Sequence, residues 1–486
     1  MMEKQTLNPF LPSWEYIPDG EPHIFGRRIY LYGSHDRFNA PMFCMNDYVC
    51  WSAPVDDLSD WRCEGVIYRK KQDPKNPLGL RLLFAPDVCR GPDGRYYLYY
   101  AFDFLGLMGV AVCDTPAGAY QFLGHVHYPD GTLWGRRRGD QFPFDPGVLA
   151  DEDGRVWLYS GFATPTPAIV TGGQKLRNDG GVVLELEQDM MTIRTEPKLL
   201  FPKAGPGSYP GHEFFEASSI RRDGDRYLFV YSSRHNHELC YAVSDRPDGG
   251  FVFGGTLVSL GDLFLEGRTE ERDGRNYLGN THGGLLHLGE DWYIFYHRQT
   301  NRHSYSRQAC AEKLERNPDG SFRQAEVTSC GLNGGPLRGI GRYEACIACH
   351  LWSKNGVGRY DGASPRRRLS RHPYFTQSGG DREDHGDQYI ANMRDGATAG
   401  FRYFQFDGAD QISVTLRGHA SGVLKVSENP DFSRINASFP VRLSGGEKTL
   451  RAALRIAPGR RALYFQFCGK GAVDFLFFTL EDSRRR

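Results

Sequence analysis

Residues 94–101 read GRYYLYYA, a run that alternates aromatic and aliphatic side chains at period two, as a strand does, directly behind the turn signal PDG. The phrase recurs as GRRIYLYGS from Gly26, GRVWLYSG from Gly154, DRYLFVYSS from Asp225 and DWYIFYHR from Asp291, with FGR, EDG, RDGD and GED as the matching turn signals. Aligned on Tyr30, Tyr97, Trp157, Tyr227 and Tyr293, the copies lie 67, 60, 70 and 66 residues apart. A second phrase follows two of these anchors by 13 and 14 residues: VAVCDTPAGAYQF from Val110 and YAVSDRPDGGFVF from Tyr241, with SAPVDDLSDW from Ser52 as a weaker relative. The unit is therefore a hairpin, a third strand, a Pro/Gly turn and a fourth strand. Four-stranded units repeated radially make a β-propeller. Five units predict five blades over residues 8–340. An ordinary β-sandwich would not repeat one strand phrase five times at near-even spacing.

Composition agrees with an all-β chain. Aromatic residues make up 13% of the 486 and glycines number 58, which favours short strands and tight turns over helices. Lys plus Arg and Asp plus Glu both total 59. A nucleic-acid partner would call for a basic excess, and none is expected. The clusters Arg136–Arg138, Arg366–Arg368 and Arg484–Arg486 read as solvated charge. No apolar run has signal-peptide or membrane-spanning length, so no membrane partner is expected and a cytoplasmic location is. The 11 cysteines read as reduced thiols. CIACH at Cys346–His350 matches the c-type haem attachment pattern, but that chemistry belongs to exported proteins, so it reads as small apolar residues in a strand.

The segment ahead of each repeated hairpin is the natural innermost strand of its blade, and its rim residues converge on the propeller axis. These segments carry Asp19 and Glu21 in IPDGEPHIF, Asp87 in FAPDVCRGPDGR, Asp145 in FDPGVLADEDGR and Glu216 in HEFFEASSIRRDGD; the fifth carries His282 in NTHGGLLHLGED. In a strand, Asp19 and Glu21 would point to one side. The later acids sit among apolar neighbours such as Phe84, Ala85, Phe142, Phe144, Phe214 and Phe215. Carboxyl groups crowded on an apolar axis have their pKa values pushed apart. Two carboxyls, one protonated and one ionised, are the working parts of glycoside hydrolysis.

At this point the sequence resembles glycoside hydrolase family 43. The likeness spans about residues 8–335 and includes NPFLP, FAPDV, FDPGVLADEDGRVWLY, FEASSIRRDGDRYLFVYSS, VSDRPDGGF and THGGLLHLGEDWYIFYHR. It implies a five-bladed propeller that removes arabinofuranosyl or xylosyl units from oligosaccharides with inversion and needs no cofactor. It implies Glu216 as general acid and Asp145 as the residue that orients and tunes it. The first-blade base is Asp19 by register with the hairpin, or Glu21 by its Pro neighbour. Asp87, Phe84, His282 and Arg298 are the substrate contacts implied, and His282 also matches a family histidine often linked to calcium. Exo action on short oligosaccharides fits a cytoplasmic enzyme. Two other readings compete: a galactosyl- or fructosyl-processing glycosidase on the same scaffold, and a non-catalytic sugar-binding propeller.

Composition shifts after residue 340. Ser353–Pro373 reads as a linker, followed by short alternating strands GFRYFQF, QISVTLRG, GVLKVSE, ALYFQFCG and AVDFLFFTL. Such strands suggest a β-sandwich over 341–486. DQYIANMRDGATAGFRYFQF and GAVDFLFFTL resemble a family 6 carbohydrate-binding module, a jelly roll, in which Glu344 and Asp474 fall at positions that often hold structural calcium. The sequence leaves the oligomeric state open.

Overall fold

The computed structural model describes residues 4–360, 371–382 and 387–485. Arg366–Arg368, the middle of the expected linker and Arg486 lie outside the described residues. Blade 1 comprises β1 (Glu21–Phe25), β2 (Arg28–Tyr32), β3 (Tyr48–Pro54) and β4 (Arg62–Tyr68); blade 2 comprises β5 (Asp87–Arg90), β6 (Tyr96–Ala101), β7 (Met108–Cys113) and β8 (Gln121–His125). Blade 3 holds β9 (Gly147–Ala150), β10 (Val156–Gly161), β11 (Gly180–Leu186) and β12 (Lys198–Pro202). Blade 4 holds β13 (Phe214–Asp223), β14 (Arg226–Ser233), β15 (Glu238–Ser244) and β16 (Val252–Ser259). Blade 5 has three strands among the described residues, β17 (Leu285–Leu288), β18 (Asp291–Gln299) and β19 (Arg307–Leu314), one fewer than the repeat predicts. The first strands touch in a closed ring, β1 to β5 to β9 to β13 to β17 and back to β1, which makes a five-bladed propeller. The edge of β19 is covered by the N-terminal segment: Phe10 N–H donates to Ala309 O at 3.3 Å, and the Asn8 side chain bonds both N and O of Ala311.

The repeated phrase is apolar at nearly every position because a blade has a neighbour on each side. On β6, Tyr97 and Tyr99 pack with β10 residues of blade 3, while Leu98 and Tyr100 pack with Tyr32 and Tyr48 of blade 1. On β14, Tyr227, Phe229 and Tyr231 face blade 3, and Leu228 and Val230 face blade 5. On β18, Tyr293 and Phe295 close the circle against Ile29 and Leu31 of blade 1. Strand alternation thus splits each phrase between two interblade cores.

The inner strands sit tightly on the axis. A Cβ at Gly147 would lie 2.7 Å from Ser218 O on the next inner strand, and one at Gly283, just ahead of β17, 2.0 Å from Phe295 O on the adjacent β18. Only glycine permits these approaches.

The C-terminal third forms one hydrogen-bonded network of nine strands: β20 (Leu337–Arg338), β21 (Gly341–Glu344), β22 (His350–Trp352), β23 (Tyr374–Gln377), β24 (Gln388–Met393), β25 (Thr398–Phe406), β26 (Gln411–Ser427), β27 (Ala437–Ala453) and β28 (Gly459–Glu481). Its core is rich in phenylalanine, including Phe401, Phe404, Phe465, Phe475 and Phe478. Two expectations are corrected here. The pairs of short strands read from sequence are single long strands, β26 and β28. Their glycines bend the strands without ending them, and Gly422 faces Gly469 where a Cβ on either would lie within 2.3 Å of the other strand's carbonyls. CIACH is no strand: Ala345–Ile347 is a 3-10 turn and β22 begins at His350, with both cysteines free and buried.

Polar contacts fasten this network to the propeller. Asp262 accepts from His350 Nε2 at 2.8 Å and from Arg402 at 2.6 Å. Arg382 reaches Glu15, and Arg298 donates to Cys346 O and Ala348 O.

Candidate active site

A cavity of about 210 Å³ opens at one end of the axis, small for a ligand cavity. Asp19, Asp145 and Glu216 face it, together with Phe43, Phe84, Phe104, Phe144 and Phe215 on one wall. Each carboxylate owes its place to an irregularity at the head of an inner strand. Asp19 and Asp145 have left-handed backbones (φ 58° and 44°) ahead of β1 and β9. Glu216 sits in β13 where the register with β14 slips, beside left-handed Ala217 (φ 69°). Such conformations are unfavourable for side chains with a Cβ and recur at functional sites.

Asp19 is held by Arg307, whose NH1 donates to Oδ1 at 3.0 Å, while Nε and NH2 of the same guanidinium bond Asp36 at 2.8 and 3.0 Å. The Asp19 N–H donates to His297 Nδ1 at 3.2 Å. Burial opposes ionisation of Asp19, but Arg307, helped by His297 and His282, outweighs it and holds the carboxyl below its usual range. Glu216 is pushed the other way, to about 8, by burial and then by the Asp19 charge. Asp145 is raised by burial, by Glu216 and by Asp19, and its Oδ2 accepts the Ala217 N–H at 3.1 Å. His282 Nδ1 lies 3.7 Å from Asp145 and 3.9 Å from Asp19. Burial lowers His282 to about 4 and His297 to about 3, so both imidazoles are neutral near neutral pH.

Glu21 and Asp87 do not reach the cavity. The left-handed turn at Asp19 lies before the strand and breaks the expected alternation, so Asp19 and Glu21 do not share a side. Glu21 bonds Arg221 at 2.6 Å and Ser219 at 2.9 Å. Asp87 bonds His23 at 2.6 Å and the Val88 and Val148 N–H groups, each at 2.8 Å. Both carboxyls pin inner strands together below the pocket, which corrects Asp87 as a substrate contact and leaves Asp19 as the first-blade acid at the cavity. Arg298 is also corrected. It neighbours His297 on β18 and so points the opposite way, into the C-terminal contact and over the Phe375 ring. The guanidinium at the carboxylates is Arg307, which pairs with Gln299 across the β18–β19 ladder. The sequence signal for it was its position as the first residue of the third strand, at the pocket end of the blade.

The expected calcium ligands are not gathered. Glu344 pairs with Arg342 at 2.8 Å, and Asp474 accepts from Asn392 N at 3.0 Å and lies 3.3 Å from Arg417. Calcium takes six to eight oxygen ligands. Among the described residues, the carboxylate oxygens within 4.0 Å of the His282 ring are Asp19 Oδ1, Asp145 Oδ2 and Glu21 Oε1, with the first committed to Arg307 and the second to Ala217. That donor set does not fit a calcium cage.

A propeller whose axis ends in an aromatic pocket with one ionised and one protonated carboxyl is built for glycoside hydrolysis. The sequence profile of glycosyl hydrolases family 43 matches residues 23–322, and the chain belongs to that family. Over 484 residues it is 48% identical to a xylosidase/arabinosidase from Thermoclostridium stercorarium, covering 99% of each chain. It shares its fold with an arabinoxylan arabinofuranohydrolase from Bacillus subtilis solved with cellotetraose (TM-score 0.51, 20% identity, 99% of each chain). It shares it also with a family 43 β-xylosidase/α-arabinofuranosidase from a compost microbial metagenome, solved with xylotriose in a calcium-free form (TM-score 0.51, 23% identity, 66% of this chain and 98% of that one).

Proposed function

We propose that the chain is an inverting, exo-acting glycoside hydrolase that removes arabinofuranosyl or xylosyl units from short oligosaccharides. The carrying observation is the split in protonation between two carboxyls of one cavity, Asp19 held low and Glu216 raised to about 8. At neutral pH Glu216 keeps its proton and gives it to the leaving oxygen. Ionised Asp19 takes a proton from the water that attacks the anomeric carbon from the opposite face. Asp145 fixes the backbone beside Glu216 through the Ala217 N–H, and burial together with the Asp19 charge resists Glu216 ionisation. The phenylalanine wall offers apolar surface to a sugar face. The cavity volume supports one terminal sugar held at the closed end. The substrate class rests on the near-full-length relative at 48% identity. The cytoplasmic location belongs to the same proposal, and a structural calcium does not.

Residues 1–340 and 341–486 are proposed as two domains, the second a carbohydrate-binding-module-like jelly-roll sandwich. The long bent strands β26 to β28 support it. β20 already pairs with β25, which favours a seam a few residues before 340.

Proton NMR of the first product anomer, released from arabinofuranosyl and xylosyl oligosaccharides, tests the mechanism. Inversion is expected. A retained anomer would sink the water-attack assignment, and no cleavage of either substrate would sink the proposal as a whole.

A further inference from the structure

The cavity contains a residue that the propeller does not supply. Arg359 lines it beside Asn236, Gly279 and Asn280, yet it lies beyond β19 and outside the matched family span of 23–322. The segment carrying it was expected to be linker, but it is bonded to the propeller on both sides of Arg359. Leu278 N–H donates to Gly358 O at 3.0 Å and Tyr360 N–H to Leu278 O at 2.6 Å, a parallel bridge next to the cavity residues Gly279 and Asn280. Ser304, another cavity residue, donates to Tyr360 O at 2.6 Å, and the Tyr360 ring stacks on Tyr277 at 4.7 Å.

The Arg359 guanidinium is itself oriented. Its Nε meets both Glu271 oxygens at 3.0 Å, and its NH2 donates to His235 O at 2.7 Å. Burial places it along the depth of the pocket. Asp19 and Asp145 side chains are 6% and 5% exposed, whereas Arg359 is 28% and its partner Glu271 46% exposed. The reacting carboxyls therefore mark the closed end, and Arg359 marks the mouth. Beside it stands Asn236, whose Oδ1 is buried with no hydrogen-bond partner among the described residues. A guanidinium donor next to an unsatisfied amide acceptor suits the vicinal hydroxyls of a second sugar ring.

We infer that the segment after the propeller completes the active site, and that Arg359 with Asn236 binds the leaving-group sugar and sets the preference for an oligosaccharide over a simple glycoside. This rests on the glycosidase reading above. If the closed end takes the terminal sugar, the group at the mouth can only meet what that sugar is attached to.

The test compares wild type, Arg359→Ala and Arg359→Lys on an unmodified pentosyl disaccharide. KM for the disaccharide is measured alongside Ki for the free monosaccharide, which fills the closed end alone. The expected result is a KM about tenfold higher in Arg359→Ala, the loss of one charge-assisted hydrogen bond. Ki should move less than about twofold on the same reasoning. Arg359→Lys, which keeps the charge but not the fork, is expected in between and serves if the alanine variant does not fold. An unchanged KM, or a Ki that rises in step with KM, overturns the inference. Absence of hydrolysis by wild type would instead overturn the glycosidase reading.

Discussion

Arg307→Met is the sharpest probe of how the pocket keeps its base ionised. Arg307 is 3% exposed and bonds two buried carboxylates, Asp19 and Asp36. Methionine keeps much of the packing against Phe43, over whose ring the guanidinium lies at 4.7 Å, and removes only charge and donors. An opposite charge at this range lowers a carboxyl by about 1–3 pH units. With Arg307 gone, burial, already the largest single influence on Asp19, loses its strongest opponent, and only the weaker pull of His297 and His282 remains. The acid limb of kcat/KM should therefore move up by about 1–3 pH units. The sign for stability follows. In wild type the Asp19 pKa is depressed, so its ion pair stabilises the fold above the ordinary Asp value and that contribution is lost as pH falls through the folded value. In the variant the pKa is raised, so stability is lost as pH rises instead, and the deficit should be larger at neutral than at acid pH. Orphaning a buried charge costs about 3–5 kcal/mol. The assays are kcat/KM against pH on an aryl pentoside and urea unfolding at acid and neutral pH. Arg307→Lys retains the charge and should keep most of the acid limb. A folded Arg307→Met enzyme with an unshifted acid limb would refute the claim that this guanidinium sets the base.

Glu216→Gln should lose about 10²–10⁴ in rate on substrates with poor leaving groups, and the basic limb, expected in wild type near pH 8 from the raised Glu216, should disappear from what activity remains. Paired amide variants separate the first-blade acids: Asp19→Asn should lose about 10²–10⁴ in rate, and Glu21→Gln less than about tenfold, because only Asp19 faces the cavity. Equal losses would mean that water is activated from the layer below. Gly283→Ala should destabilise by about 1–3 kcal/mol in urea, since its Cβ would meet Phe295 O of the adjacent strand β18 at 2.0 Å. A neutral result there would mean that blade 5 has more slack between β18 and the segment leading into β17 than its geometry implies.

The five blades were legible because one phrase does two jobs. A strand buried on both faces must be apolar at consecutive positions, and five such strands at similar spacing admit few architectures. The C-terminal strands were legible as strands but not in their lengths. A glycine inside a long strand and a glycine in a turn look alike in sequence, and what separates Gly422 and Gly469 from turn residues is that they face each other across the ladder.

The site was legible where acids sit beside unusual local sequence and illegible where its residues come from distant chain. Asp145 and Glu216 each directly follow a phenylalanine, Phe144 and Phe215, that lines the cavity. Asp19 and Glu21 could not be separated from their spacing, because the deciding variable was a left-handed backbone that Asp tolerates without announcing it. Arg298 and Arg307 are nine positions apart on adjacent strands; parity assigns one to the carboxylates and the other to the interface, and the exact register was needed to tell which. Arg359 had no local signal at all, since a composition that reads as linker conceals a segment bonded to the pocket wall. The chemistry of this fold is thus written in the inner strands, while its fit to a particular substrate is written in whatever chain crosses the mouth. For this protein that chain includes the part beyond β19, so truncation there should remove selectivity along with the C-terminal strands.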